Sequence, residues 1–271
     1  MLPNFLVIGA PRSGTTWIEL NLRQHSDVFF PERKELHFFD RDENYARGMP
    51  YYEAFFENTG TVRAVGEGTP DYLHIPKAAA RIKEHLPEAK LIVSLRNPVE
   101  RVYSRYWNAR GKYEENANLS FEQKLSDKPA FIAEGLYFQH LSRYLDLFDR
   151  SQLLILLFDD LKADSLAFLR QIYEFLDLDP DCQSVLLNQK IGTSASQKRN
   201  ARSKLLFYLR KASRRMGLYR MADTIDRANR VPLPKMRPET REWLLREHYG
   251  EQIERLEDLI GRDLSSWRAV E

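Results

Sequence analysis

Residues Phe5 to Trp17 read FLVIGAPRSGTTW: an apolar run without polar alternation, a turn rich in small residues, then Thr-Thr-Trp opening an amphipathic segment. An apolar run of this kind is what a strand buried on both faces requires, and such strands belong to parallel sheets wrapped by helices. Gly9 and Gly14 have the spacing of a P-loop, where backbone N–H groups and the positive end of the following helix hold an oxyanion. The residue after Gly14 is Thr15, not the Lys that grips β- and γ-phosphates in a Walker loop. A cradle with Arg12 inside the turn, hydroxyls of Thr15 and Thr16 at the helix start, and no such lysine suits a shorter phosphate chain that needs no magnesium. The plainer reading is an ordinary strand-turn-helix junction built of small residues.

The rest of the chain repeats the alternation. Leu91–Leu95 and Leu153–Phe158 are further continuous apolar runs, and Val62–Val65 is a short strand candidate ending at a Gly66-Glu67-Gly68-Thr69-Pro70 break. Helices are expected over Thr15–Gln24, with Trp17, Leu20 and Leu22 partly facing the sheet, over Lys77–His85, and from Pro98 through Val99 to Trp107. The expectation is an α/β, P-loop-like three-layer fold: a central parallel sheet covered by helices on both faces, with residues 1–271 as one domain. Ligands of such sheets bind beyond the carboxyl ends of the strands, which puts Arg12 and Arg96 on one rim. The formal charge of +2 is too balanced to argue for nucleic acid. The single cysteine, Cys182, cannot make an intrachain disulfide and reads as a packing residue. A first strand beginning by Phe5 leaves no room for a signal peptide, and no apolar run approaches a membrane span, so a cytoplasmic protein is expected.

With these residues in view, Pro11-Arg12-Ser13-Gly14-Thr15-Thr16-Trp17 resembles the 5′-phosphosulfate loop of sulfotransferases that use 3′-phosphoadenosine-5′-phosphosulfate (PAPS). Leu95-Arg96-Asn97-Pro98, continuing through Arg101, Tyr103, Ser104 and Tyr106, resembles the second signature of that family. Lys34-Glu35-Leu36-His37-Phe38-Phe39-Asp40 is similar to the acidic motif of the heparan-sulfate-type branch and its bacterial relatives. Gly135-Leu136-Tyr137, the unit from Leu153 to Leu178, and Gly261-Arg262-Asp263-Leu264 before Trp267 resemble the same branch, so the likeness spans nearly the whole chain.

The resemblance implies sulfuryl transfer from PAPS to a hydroxyl or amine, without metal. It assigns Arg12, Ser13, Gly14, Thr15, Thr16 and Trp17 to the donor's 5′ end, and Arg96 and Ser104 to its 3′-phosphate. A guanidinium fork plus a hydroxyl about two turns along the next helix, on a face also reachable from Arg101, is a sound receptor for a phosphate monoester. Glu35 matches the family's proposed general base, and His37 is the alternative, since imidazole takes protons near neutral pH. Blander readings are a surface carboxylate paired with Lys34 or Arg33, and an imidazole packed beside Phe38 and Phe39. One departure stands out: relatives often carry a Lys that contacts the sulfonate where this chain has Gly68. Its charge could come from Lys34 or from elsewhere. Asp71 and Tyr72 are candidates for the acceptor side, Tyr72 equally for the core.

Residues 182–222 contain ten Lys or Arg and no Asp or Glu. Within a basic segment spanning 182–235, Lys198 and Arg199, or the nearby Arg202-Ser203, occupy the place where relatives close a basic loop over the donor phosphates. From Lys204 to Arg215, Leu205, Leu206, Tyr208, Leu209 and Ala212 interleave with Lys211, Arg214 and Arg215 in a basic amphipathic helix. Such a helix can lie on anionic lipid or receive an acidic acceptor, although its commoner fate is to dock the apolar face and solvate the rest. The aromatics are too sparse for a nucleic-acid platform. Two other classes stay open. A P-loop kinase or nucleotidase would have only Asp159 and Asp160 as metal ligands, and a non-catalytic nucleotide-binding module is left open by Gly68. Among small-molecule, carbohydrate and lipid acceptors no residue pattern selects, and the oligomeric state is equally unspecified.

Overall fold

A computed structural model describes residues 2–112, 119–182, 184–187, 204–216 and 235–270, with 218, 221, 222, 224, 225 and 228 between the last two stretches. Its centre is a five-stranded sheet in the order β2-β3-β1-β4-β5, with every pairing parallel. The strands are β1 (Phe5–Gly9), β2 (Val28–Phe29), β3 (Ala64–Gly68), β4 (Lys90–Leu95) and β5 (Leu153–Leu157). Phe5 pairs with Gly66 on one side and Lys90 on the other, which places β1 at the middle of the sheet. Successive side chains of β1 enter opposite cores: Leu6 and Ile8 pack with Tyr72, Leu73 and Val93, whereas Phe5 and Val7 pack with Trp17, Ile92 and Phe168. With both faces covered, neither face of β1 has a use for polar residues, hence its unbroken apolar sequence.

From β1 the chain passes through α1 (Thr15–Leu22) to β2 and β3, and α2 (Pro76–His85) then carries it across to β4 on the other side of β1. The strand order reverses at β1, so its carboxyl end is the crevice in which ligands of such sheets bind. Helix α3 (Pro98–Lys112) follows β4, and α4 (Tyr137–Leu145) packs on one face of the sheet. After β5 come α5 (Phe158–Ala163) and α6 (Ser165–Phe175). Downstream are α7 (Lys204–Arg215) and α8 (Gly250–Ile260).

Two expectations change, and one strand was not foreseen. The strand expected at 62–65 is Ala64–Gly68, and the glycines taken for its end lie inside it. A Cβ on Gly66 would sit 2.2 Å from the Phe5 ring, so this glycine is required by packing against β1. Strand β2 is two residues long, too short for any periodic signal. Helix α7 turns its apolar stripe outward, with Leu205, Tyr208 and Leu209 exposed, while Ser213 on another face is buried. No helix among the described residues is long and apolar enough to cross a membrane.

Candidate active site

The crevice beyond β1 is floored by the Gly9–Gly14 turn. Gly14 caps α1 at φ +90°, where an added Cβ would also come within 3.0 Å of the Phe158 ring. No side chain caps this helix, so the N–H groups of Thr15 and Thr16, which have no intrahelical acceptor, are left as anion donors at the crevice. Ser13 is buried, and its carbonyl accepts a hydrogen bond from Ser94 Oγ at 2.7 Å, tying the turn to β4. Trp17 is placed differently from its expected ligand contact. Its ring packs edge-on against Phe168 at 5.9 Å and its N–H donates to the Gly14 carbonyl, so it seats the helix in the core.

Arg12 joins the two motifs: its Nε donates to Ser104 Oγ on α3 at 3.1 Å across 92 residues of sequence. Arg96, at the end of β4, lies over the Phe158 ring at 5.3 Å, and its Nε is buried without a hydrogen-bond partner among the described residues. Burial first, then the neighbouring charges of Arg96 and Arg105, pull the Arg12 guanidinium down to about 10; burial lowers Arg96 as well. Buried cations beside uncapped amides suit a phosphorylated ligand, with Glu100 Oε2 3.8 Å from Arg96 Nη2 as the carboxylate nearest that guanidinium. Arg101 does not join them. It is fully buried, ion-paired to Glu134 at 2.7 Å and bonded to the Phe131 carbonyl, because its face of α3 points into the core. Lys198 and Arg199 lie outside the described residues. The two aspartates open to a kinase reading are engaged in structure: Trp267 Nε1 and Lys162 bond Asp159, and Arg262 forks onto Asp160.

Across the crevice stands the segment from Lys34 to Asp40. Both Glu35 (φ +56°) and His37 (φ +53°) adopt left-handed backbone, as Arg12 does (φ +70°). His37 Nδ1 is 2.8 Å from Asp40 Oδ2, and Nε2 is 3.7 Å from Glu35 Oε2. Burial is the largest influence on this ring and disfavours its charge, but the hydrogen bonds to Asp40 and Glu35 outweigh it and raise His37 to about 9. The shift favours the imidazolium near neutral pH, with Nδ1 donating to Asp40 and Nε2 facing the Glu35 carboxylate. The side chain of Glu35 is 42% exposed and open to the crevice. Lys34 Nζ donates to Thr16 Oγ1 at 2.6 Å and stands 3.9 Å from Glu35 Oε1.

Two carboxylates of this site were not singled out from sequence. Asp40 orients His37, and only its position three residues after the histidine hinted at that. Glu67, fully buried at the end of β3, accepts hydrogen bonds from the hydroxyls of Tyr52, Thr69 and Tyr72. Thr69 Oγ1 in turn accepts the His37 N–H, and the Tyr72 hydroxyl accepts the Phe38 N–H. Glu67 thus anchors the segment from Lys34 to Asp40 from below, and burial raises it to about 7 against the pull of those three hydroxyls. Tyr72 belongs to the core. His37, Asp40 and Asp71 form the one grouping among the described residues compact enough for a metal, within 4.8 Å, and Nδ1 of the ring is already engaged by Asp40.

Comparison with known proteins bears on this arrangement. The sequence profile of the sulfotransferase domain matches residues 2–216. The bifunctional heparan sulfate N-deacetylase/N-sulfotransferase 3 of Homo sapiens is 33% identical over 199 residues, 66% of this chain and 23% of that protein. Heparan sulfate glucosamine 3-O-sulfotransferase 3B1 of Mus musculus is 32% identical over 184 residues, 65% of this chain and 46% of that protein. The membrane-associated sulfotransferase kil1 of Dictyostelium discoideum is 36% identical over 139 residues, 48% of this chain and 29% of that protein. The matches thus span less than half of each relative's length. The crystal structure of a sulfotransferase from Alicyclobacillus acidocaldarius superposes with a TM-score of 0.74 at 29% identity, covering 99% of this chain and 100% of that one. With a profile match over most of the chain and a full-length structural counterpart, this chain belongs to the sulfotransferase family.

Proposed function

We propose that the chain transfers a sulfuryl group from PAPS to an acceptor hydroxyl or amine, with Glu35 as general base. The hydrogen bond from Arg12 to Ser104 carries this reading, because it sets the cradle and the Arg96–Ser104 pair side by side, as a donor phosphorylated at both 5′ and 3′ positions requires. When bound, the donor supplies an activated sulfonate whose bond to the 5′-phosphate is the one broken. The α1 amides and Arg12 receive the charge that gathers on the leaving phosphate. Arg96 and Ser104 hold the 3′-phosphate; Lys198 and Arg199, in the basic segment 182–235 of the single domain 1–271, are assigned to the donor phosphates by the resemblance alone. Glu35 takes the acceptor's proton, and His37, charged and backed by Asp40, keeps Glu35 aimed and ionised rather than competing with it. The acceptor is a carbohydrate, lipid or small molecule. The outward apolar stripe of α7 favours an acceptor or a docking surface of lipid character, and one relative is named as membrane-associated.

The test is ligand-induced stabilisation in the presence of a chelator. Every proposed contact is an N–H, hydroxyl or guanidinium, so 3′-phosphoadenosine-5′-phosphate (PAP) at a hundredfold its dissociation constant should add about 2.7 kcal/mol without metal. AMP should stabilise far less. Equal shifts would remove the 3′-phosphate site, a need for ATP and magnesium would favour a kinase, and binding without turnover of PAPS would leave a nucleotide-binding module.

A further inference from the structure

Lys34 projects from an otherwise open segment, its side chain 35% exposed, yet its ammonium is held on three sides. It donates to Thr16 Oγ1 in the first turn of α1, and it stands 3.9 Å from Glu19 Oε2 and 3.9 Å from Glu35 Oε1. Thr16 belongs to the donor cradle and Glu35 to the acceptor side, so this one cation touches both ends of the path along which a group would pass. The support behind it is built in. Glu19 is buried on α1 and pairs with Arg23 at 2.9 Å, and Arg23 also bonds the carbonyls of Phe30 and Pro31, the run of chain that leads into Lys34. A cation placed in advance costs no reorganisation when charge moves past it. Arg12 cannot fill the same role, being tied to Ser104 at the phosphate end.

We propose that Lys34 is a catalytic residue that contacts the peripheral oxygens of the sulfonate as it passes from donor to acceptor. The inference rests on the sulfuryl-transfer reading above. In the step itself the sulfur–oxygen bond to the 5′-phosphate breaks and its electron pair stays on the phosphate oxygen. The sulfur bonds to the acceptor oxygen or nitrogen, and the acceptor's proton goes to Glu35. Throughout, the sulfonate oxygens keep negative charge within reach of Lys34, whereas the nucleotide product carries no sulfonate and leaves Lys34 without a ligand contact.

That difference gives a binding test that needs no acceptor. Affinities for PAPS and for PAP are measured by calorimetry on the wild type, on Lys34→Met and on Arg33→Met, each first checked for an unchanged melting temperature. Arg33 is exposed and bonds the Tyr51 hydroxyl, so it serves as a nearby charge outside the site. Lys34→Met should weaken PAPS about tenfold, as for the loss of a charge-assisted hydrogen bond, and leave PAP within about twofold. Arg33→Met should change neither. Lys34→Met with an unaltered PAPS-to-PAP ratio, or an equal shift in Arg33→Met, overturns the assignment, the first by denying the contact and the second by reducing it to a diffuse field. A wild type that binds PAP no better than AMP sinks the donor reading itself, so the two failures are told apart.

Discussion

Arg12, Glu35 and His37 are three of the four non-glycine residues with left-handed backbone among those described, and all three line one crevice. An L-residue there costs about 1–2 kcal/mol, so each is kept in place by its partners, and the strain falls at the crevice. His37 shows what such holding does to chemistry. Raised from 6.5 to about 9, it lets the folded protein bind more protons than the unfolded chain between those values. Its stabilisation is fully present below about pH 6.5 and is lost as pH climbs through 9. Urea unfolding of the wild type should show that loss, and His37→Gln should flatten it. In turnover the roles separate. Glu35→Gln should lower the rate by roughly 10²–10⁴-fold while leaving PAP affinity intact. A larger loss in His37→Gln than in Glu35→Gln would return the base to the imidazole.

At the scale of elements, the segment from Pro31 to Asp40 has no regular structure of its own and borrows rigidity from its neighbours. Arg23 of α1 holds its start, Asn44 Nδ2 bonds the His37 carbonyl at 2.8 Å, and the hydroxyls gathered on Glu67 receive the N–H groups of His37 and Phe38. Tyr72→Phe deletes one relay, leaving the Phe38 N–H without this acceptor and Glu67 short of a donor. It should cost about 1–3 kcal/mol of stability in denaturant titration, and lower turnover more than PAP affinity. An unchanged turnover would mean that the segment is held well enough by Asn44 and Arg23. Little of this network was legible in the sequence, because Glu67 and Phe38 are joined through a third residue and no local spacing encodes the link. The runs that became β1, β4 and β5 were legible because burial on both faces erases alternation. Strand β3 was misplaced for the opposite reason: Gly66 reads as a break, and only the Phe5 ring beside it explains why it belongs in a strand. Arg101 and Ser104 stand three residues apart on α3, yet one faces Glu134 in the core and the other the crevice, a choice made by packing.

Over the whole molecule, distant parts of the chain close on the same rim. Asn97 Nδ2 donates to the Trp267 carbonyl while Trp267 Nε1 reaches Asp159, so the carboxy-terminal segment locks the second motif to the end of β5. Helix α7 is the exception to this inward economy. Leu205, Tyr208, Leu209 and Ala212 follow the i, i+3, i+4, i+7 spacing of one helix face, and that face is open, with Leu205 68% and Tyr208 62% exposed. Lys211 is exposed beside it, and the surrounding residues 182–222 carry no acidic side chain. An apolar stripe in a stretch rich in cations is what the surface of an anionic bilayer selects. Each buried Leu contributes about 1.5–3 kcal/mol, and each cation near the surface about 1 kcal/mol more. The protein should therefore co-sediment with vesicles containing phosphatidylserine at low salt. It should release as ionic strength rises to about 0.5 M, where the screening length shrinks well below 8 Å. Leu205→Glu with Tyr208→Glu should abolish the binding and leave the melting temperature unchanged, since both side chains are exposed. Equal binding to uncharged phosphatidylcholine would assign the contact to apolar burial alone, and no binding to either would leave the stripe to another protein surface.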